Sequence, residues 1–251
     1  MAAALVLSAA AALCSACGTS APASSPALSG TITVFAASSL NAAYTAIGKE
    51  FQKSHPGTMV TFTFGGSSML VSQIQQGAIG DVVASADQPN MQKLIDAGLT
   101  AESPIVFARN DLEIVVGKGN PKHITSLADL ARSGLVIVLC APAVPCGRYA
   151  AQALQKAGLS VKPASQEADV KAVLSKVALG EADAGIVYVT DVKAAGNSVE
   201  GVTIPPALNV VAEYPIAILK DSQNRALARA FISYVLTDGR RILAQYGFTN
   251  P

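Results

Sequence analysis

The apolar positions alternate between two periods along most of the chain. Thr31 to Phe35 read as a strand; Leu40, Ala43, Tyr44, Ile47 and Phe51 then fall at helical spacing, with Ser38 and Ser39 at the join. The change of period recurs. Strands are predicted at Val60–Phe64, Val82–Ala84, Leu112–Val116, Leu135–Leu139, Ala184–Tyr188 and Val210–Leu219. Between them lie helical patterns at Ser68–Gln76, Pro89–Ala97, Arg148–Ala157, Asp169–Ala178 and Asn224–Leu236. Several close on a glycine at the C′ position: Gly77, Gly98, Gly158 and Gly180. Strands interleaved with helices predict an α/β architecture with covered sheets.

"QIQQGAIGDVVASAD" (Gln73–Asp87) and "LSKVALGEADAGIVYVTD" (Leu174–Asp191) share one order of helix, glycine, aspartate, buried strand and polar turn, which fits two lobes on one plan. Ligands of open α/β sheets bind beyond the carboxyl ends of the strands. Two such lobes face to face would make a cleft lined by strand-to-helix turns, and a hinge would let it close.

Those turns carry neutral donors. "FAASSL" offers Ser38 and Ser39, and "FGGSSML" offers Ser67 and Ser68 behind two glycines that let a ligand approach the backbone. "VASADQP" ends a strand at Ser85 and Ala86; "APAVPCGRYA" enters a helix with the N–H groups of Cys146 and Gly147. "EADVKAVL" opens a helix near Asp169 and Val170, and "GIVYVTD" ends a strand on the phenol of Tyr188. Any one of these is explained by helix capping, Ser39 on the first helix included. Together they point to an anion seat, because helix N-termini present unpaired N–H groups and partial positive charge. Asp87 and Asp169 read as caps or turn residues that point away from it.

Composition narrows the classes. The 251 residues are 51% hydrophobic and 14% charged, with a net charge of +1, and no basic run gives a nucleic-acid footprint. His55 and His123 sit apart in Pro-flanked turns, so no histidine metal site is expected. "MAAALVLSAAAALCSAC", residues 1–17, has the apolar core of a secretory signal. No Lys or Arg follows Met1, so the basic start of such a leader is missing and the translation start is expected upstream. "LCSACGTS" resembles a bacterial lipoprotein cleavage box, with Cys17 as the lipidated residue; the leucine that such boxes prefer stands one place early, at Leu13. Residues 18–30, rich in Ala, Ser, Pro, Thr and Gly, read as a flexible tether.

The ordered set "ITVFAASSL", "FGGSSMLVSQIQQGAIGDVVASAD", "GIVYVTD", "EYPIAIL" and "RRILAQYGF" resembles the periplasmic molybdate-binding proteins of ABC importers, from about Ile32 to Phe248. The resemblance implies a type II periplasmic-binding-protein fold, with two α/β lobes, a two-segment hinge and a tetrahedral oxyanion in the interlobe cleft. It implies an extracytoplasmic protein, held to the membrane by a lipid on Cys17, that acts as a monomer, delivers molybdate or tungstate to a membrane permease and needs no cofactor. Carried over by motif, Ser39 and Ser67 give hydroxyl and backbone donors, Ala86, Cys146 and Val170 give backbone N–H groups, and Tyr188 gives its hydroxyl. A cysteine at 146, where relatives have a small residue such as alanine, keeps the backbone donor. One lobe is expected from residues 31–108 and 213–251, the other from 109–212, with "VFARNDLEIVV" and "VVAEYPIAIL" crossing between them.

The residue types fit this on chemical grounds. Molybdate, tungstate and sulfate carry no proton at neutral pH and need donors only, whereas a phosphate site usually adds a carboxylate acceptor. None of the six positions is acidic. Cys140 and Cys146, with five residues between them in an exported chain, are candidates for a disulfide, with two free thiols as the alternative. Cysteine-dependent catalysis at Cys146 is a competing reading, but nothing marks either histidine as its base and no G-x-S-x-G elbow occurs. A carrier of a small organic solute would be expected to bring an arginine into the turns to grip a carboxylate.

Overall fold

The computed structural model describes residues 28–251. The expected leader, Cys17 and most of the tether lie outside them. The folded chain begins slightly before Thr31: Leu28 packs on the core and the Gly30 N–H donates to the Gly57 carbonyl at 3.0 Å.

The strands are β1 (Gly30–Ala37), β2 (Thr58–Gly65), β3 (Val82–Ala84), β4 (Ile105–Asn110), β5 (Leu112–Gly117), β6 (Ile137–Cys140), β7 (Ser165–Glu167), β8 (Ala184–Tyr188), β9 (Val199–Thr203) and β10 (Ala212–Ile218). The helices are α1 (Asn41–Ser54), α2 (Ser67–Gln75), α3 (Gln88–Asp96), α4 (Pro145–Lys156), α5 (Val170–Ala178), α6 (Val189–Ala195), α7 (Arg225–Leu236) and α8 (Asp238–Gln245).

Two mixed five-stranded sheets result, ordered β2-β1-β3-β10-β4 and β7-β6-β8-β5-β9. In each, parallel strands fed by helices meet one antiparallel strand that arrives from the other lobe: β10 against β3, and β5 against β8. The chain passes between sheets at Asp111 and again through residues 204–211. β4 runs on to Asn110 in the first sheet, and the chain re-enters that sheet with β10 at Ala212.

Helical periodicity places the apolar faces. On α1, Ala43, Tyr44, Ile47 and Phe51 are buried, and Phe51 meets Phe231 of α7 edge-on at 5.5 Å. Burying a side chain of that size stabilises by about 1.5–3 kcal/mol. A second cluster, with Phe35, Leu70, Val71, Ile74, Met91 and Leu94, lies under α2 and α3.

Several elements go beyond the periodicity. β7 has only polar residues, Ser-Gln-Glu, and exists because it pairs in parallel with β6. β9 has Gly201 at its centre, paired with Val115 of β5, and so little apolar pattern of its own. α6 follows β8 without a turn residue, so its first valine reads as more strand.

Candidate functional site

The carboxyl ends of strands from both sheets converge on one small cavity between the lobes. All six anticipated residues line it: Ser39, Ser67 and Ala86 from the first lobe, Cys146, Val170 and Tyr188 from the second. Ser38, Gly66, Val144 and Pro145 complete much of the wall, and among the described residues no charged side chain lines it. Each of the six is at most 6% exposed, so the cleft is shut.

Each turn is built locally. Gly66 is the N-cap of α2, and Ser67, its first residue, accepts from the Ala86 N–H at 3.0 Å through its Oγ. That hydroxyl keeps its own proton to donate. The expected direct donation from Ala86 is thereby modified: its N–H already serves Ser67.

On α5 the N-cap carboxylate of Asp169 accepts from Lys171 N–H at 2.8 Å and Ala172 N–H at 3.1 Å. The Val170 N–H, first in the helix, is left for the cavity. Asp87 likewise caps α3, accepting from Asn90 N–H at 3.1 Å, and it pairs with Arg148 of the other lobe. Both aspartates thus turn away from the cavity, as their positions predict. Burial pushes the Asp87 carboxyl above its ordinary value, and the guanidinium of Arg148 pulls it back.

Cys146 stands in the first turn of α4, whose first residue is Pro145, so its N–H has no intrahelical acceptor. A disulfide joins it to Cys140 at the end of β6, with Cα atoms 5.8 Å apart. The sulfur is therefore not a thiolate, which removes the nucleophile that a cysteine-dependent enzyme needs. A Cβ at position 147 would collide with the carbonyl oxygens of Cys140 and Ala141, so only glycine lets this turn close.

Tyr188 ends β8. Its N–H donates to Asp191 Oδ2 at 3.2 Å, and Asp191 is in turn paired with Lys171 at 2.9 Å. The Tyr188 hydroxyl is fully buried without a protein partner. Burial raises its pKa well above the ordinary phenol value, with the Tyr214 and Tyr149 phenols adding to the effect. It stays a protonated donor facing an uncharged wall.

Ser39 departs from its expected role as a cap. Ser38–Leu40 form a 3-10 turn ahead of α1, and no side chain caps either start. Ser39 Oγ instead lies 3.0 Å from the hydroxyl of Tyr214, 175 residues away on β10. Tyr214 was not singled out by the sequence. Its signal was a lone phenol in the apolar run "EYPIAIL", but its partners come from distant segments.

The family described as bacterial extracellular solute-binding protein matches residues 32–249. The molybdate-binding protein ModA of Mycobacterium tuberculosis is 47% identical over 241 residues, 94% of this chain and 92% of its own. The protein of the same name from Escherichia coli is 35% identical over 232 residues, covering 88% of this chain and 89% of its own. Among solved structures, the periplasmic molybdate-binding protein of Azotobacter vinelandii superposes with a TM-score of 0.77 at 24% identity, over 88% of this chain and 99% of that one. The last likeness speaks for the fold alone.

Proposed function

Because the chain belongs to the bacterial extracellular solute-binding protein family, we propose that it captures molybdate, and tungstate with it, outside the cytoplasmic membrane and hands the anion to an ABC importer. The observation that carries this reading is the Tyr188 hydroxyl, buried without a partner in a cavity walled by neutral donors from both lobes. A proton-free tetrahedral oxyanion offers acceptors in several directions and nothing else. The names of the Mycobacterium tuberculosis and Escherichia coli relatives support the choice of molybdate.

The anion would be held by the hydroxyls of Ser39, Ser67 and Tyr188 and the N–H groups of Cys146 and Val170, with Ala86 contributing through Ser67. Helix N-termini spread the charge compensation over several dipoles. Hydrogen bonds to a charged group contribute roughly 1.5–3 kcal/mol each. Their plain sum would overshoot real affinities, so desolvation of the anion and the cost of holding the lobes together offset much of it. An anion touching both lobes favours the shut form, which a permease then recognises. The lobes would be residues 31–108 with 213–251, and 109–212. In this reading the protein is a monomer without a cofactor, exported by the leader 1–17 and tethered through a lipid on Cys17.

The test is a thermal-shift titration of the purified protein with molybdate, tungstate, sulfate and phosphate. A ligand at a hundred times its Kd adds about 2.7 kcal/mol, which raises the midpoint of a chain this size by roughly 5–10 °C. A rise with molybdate and tungstate but not phosphate is expected. A rise with sulfate alone would keep the oxyanion site and replace the substrate. No rise with any of the four would overturn the reading.

A further inference from the structure

We infer that Tyr214 is a positioning residue of the site: it turns the Ser39 hydroxyl into a donor aimed at the cavity. This rests on the reading of Ser39 as an anion donor.

Tyr214 lies on β10, fully buried, outside the cavity wall. Its hydroxyl has two polar neighbours, Ser39 Oγ at 3.0 Å and Asn110 Nδ2 at 3.3 Å. The Asn110 amide also donates to Thr190 Oγ1 at 2.8 Å, so both of its N–H groups are used. With the Asn110 amide in this orientation, its Oδ1 buried without a partner, proton counting gives the direction. Tyr214 Oη accepts from Asn110, and the one acceptor left for its own proton is Ser39 Oγ. Ser39 therefore receives from Tyr214, and its own proton is free to point away from that bond.

The chain of bonds also spans the lobes. Ser39, Tyr214 and Asn110 belong to strands or turns of the first sheet, while Thr190 lies on α6 of the second lobe. Asn110 is the last residue before the crossing at Asp111, so it holds Tyr214 and Thr190 together where the hinge turns. The Tyr214 ring is fixed as well, with Phe248 edge-on at 5.3 Å and Tyr188 at 6.1 Å. A rigid phenol delivering its proton to Ser39 sets one serine rotor before the anion arrives, which lowers the ordering cost of binding.

The experiment is a double-mutant cycle read as molybdate affinity by calorimetry, on the whole protein, with Ser39→Ala, Tyr214→Phe and the two combined. Tyr214→Phe keeps the ring and its packing; the unliganded thermal midpoint of each variant checks that it is folded. Each single substitution is expected to weaken binding by about 5–30-fold. The double variant should bind no more weakly than Ser39→Ala alone, because without the serine there is nothing for Tyr214 to position. A merely structural role for Tyr214 predicts losses that multiply instead, and that result overturns the inference. So does a Tyr214→Phe protein that binds as tightly as wild type while Ser39→Ala does not; that outcome means Ser39 donates to Tyr214. If Ser39→Ala itself binds like wild type, the site reading fails and the inference falls with it.

Discussion

Gly66 and Ala168 meet across the shut cleft so closely that a Cβ on Gly66 would overlap the Ala168 carbonyl oxygen. One residue belongs to the turn before α2 and the other to the turn before α5, the helix starts that offer Ser67 and Val170 to the cavity. Gly66 has φ −61° and ψ 133°, a conformation any residue adopts, so the requirement for glycine lies in the contact. Gly66→Ala should fold normally and resist closure. Overpacking of this kind costs about 1–3 kcal/mol, and the loss should appear as molybdate affinity lowered by about 5- to 150-fold. Calorimetry gives the affinity, and small-angle scattering shows whether ligand still compacts the protein. Wild-type affinity in this variant would mean that the lobes need not approach this far to bind.

Arg148 and Asp87 form a charged contact between lobes, beside the cavity but outside its wall. Asp87 is fully buried, whereas a quarter of the Arg148 side chain is exposed. Burial raises the Asp87 pKa, so the native state holds its proton more tightly than the unfolded chain does. The cost of keeping this carboxylate charged thus grows as pH rises through the window above its ordinary value of 3.8, and is fully present at neutral pH. Arg148→Met removes the opposing charge and should widen that window upward. Breaking a fully buried pair costs roughly 3–5 kcal/mol, and the exposure of Arg148 brings the expected loss at pH 7 nearer 2–3 kcal/mol. Denaturant melts from pH 7 to pH 4 should show the gap between variant and wild type closing as Asp87 becomes protonated. A gap that stays constant with pH would assign the loss to packing of the arginine stem.

The strands and turns that form the cavity were legible because each is local. Val82–Ala84 and Ala184–Tyr188 are apolar runs bounded by polar turns, and both strands have the predicted limits. The six anticipated lining residues follow from strand-to-helix entrances read one at a time, joined by the resemblance. What joins them in space was not legible. The pairs Gly66–Ala168, Asp87–Arg148 and Ser39–Tyr214 link segments distant in sequence, and no periodicity encodes them. Ser39 shows the limit well: a serine before a helix reads as a cap, but a 3-10 turn and a distant phenol give its hydroxyl another use.

Tyr188→Phe should move stability and binding in opposite directions. Without ligand, the wild-type hydroxyl is buried and unpaired, so its removal should leave the thermal midpoint unchanged or slightly raised. With molybdate, one ligand oxygen loses a donor and affinity should fall by about 1–3 kcal/mol. Thermal scans with and without the anion measure both effects on one sample. A variant that is clearly destabilised without ligand would show that the hydroxyl has a structural partner.

The Cys140–Cys146 disulfide closes a short loop next to the start of α4. For so short a loop the chain-entropy contribution is only about 2 kcal/mol, so stability is the smaller part of what it provides. It also fixes the backbone that presents the Cys146 N–H, against a turn where Gly147 already touches the carbonyl oxygens of Cys140 and Ala141. Replacing both cysteines by serine should therefore lower the unliganded stability by about 2 kcal/mol. It should also weaken molybdate binding measurably, while Cys140→Ser with intact position 146 should behave like the double variant. Binding at wild-type strength in the destabilised double variant would show that the α4 entrance is held by Gly147 and its packing alone.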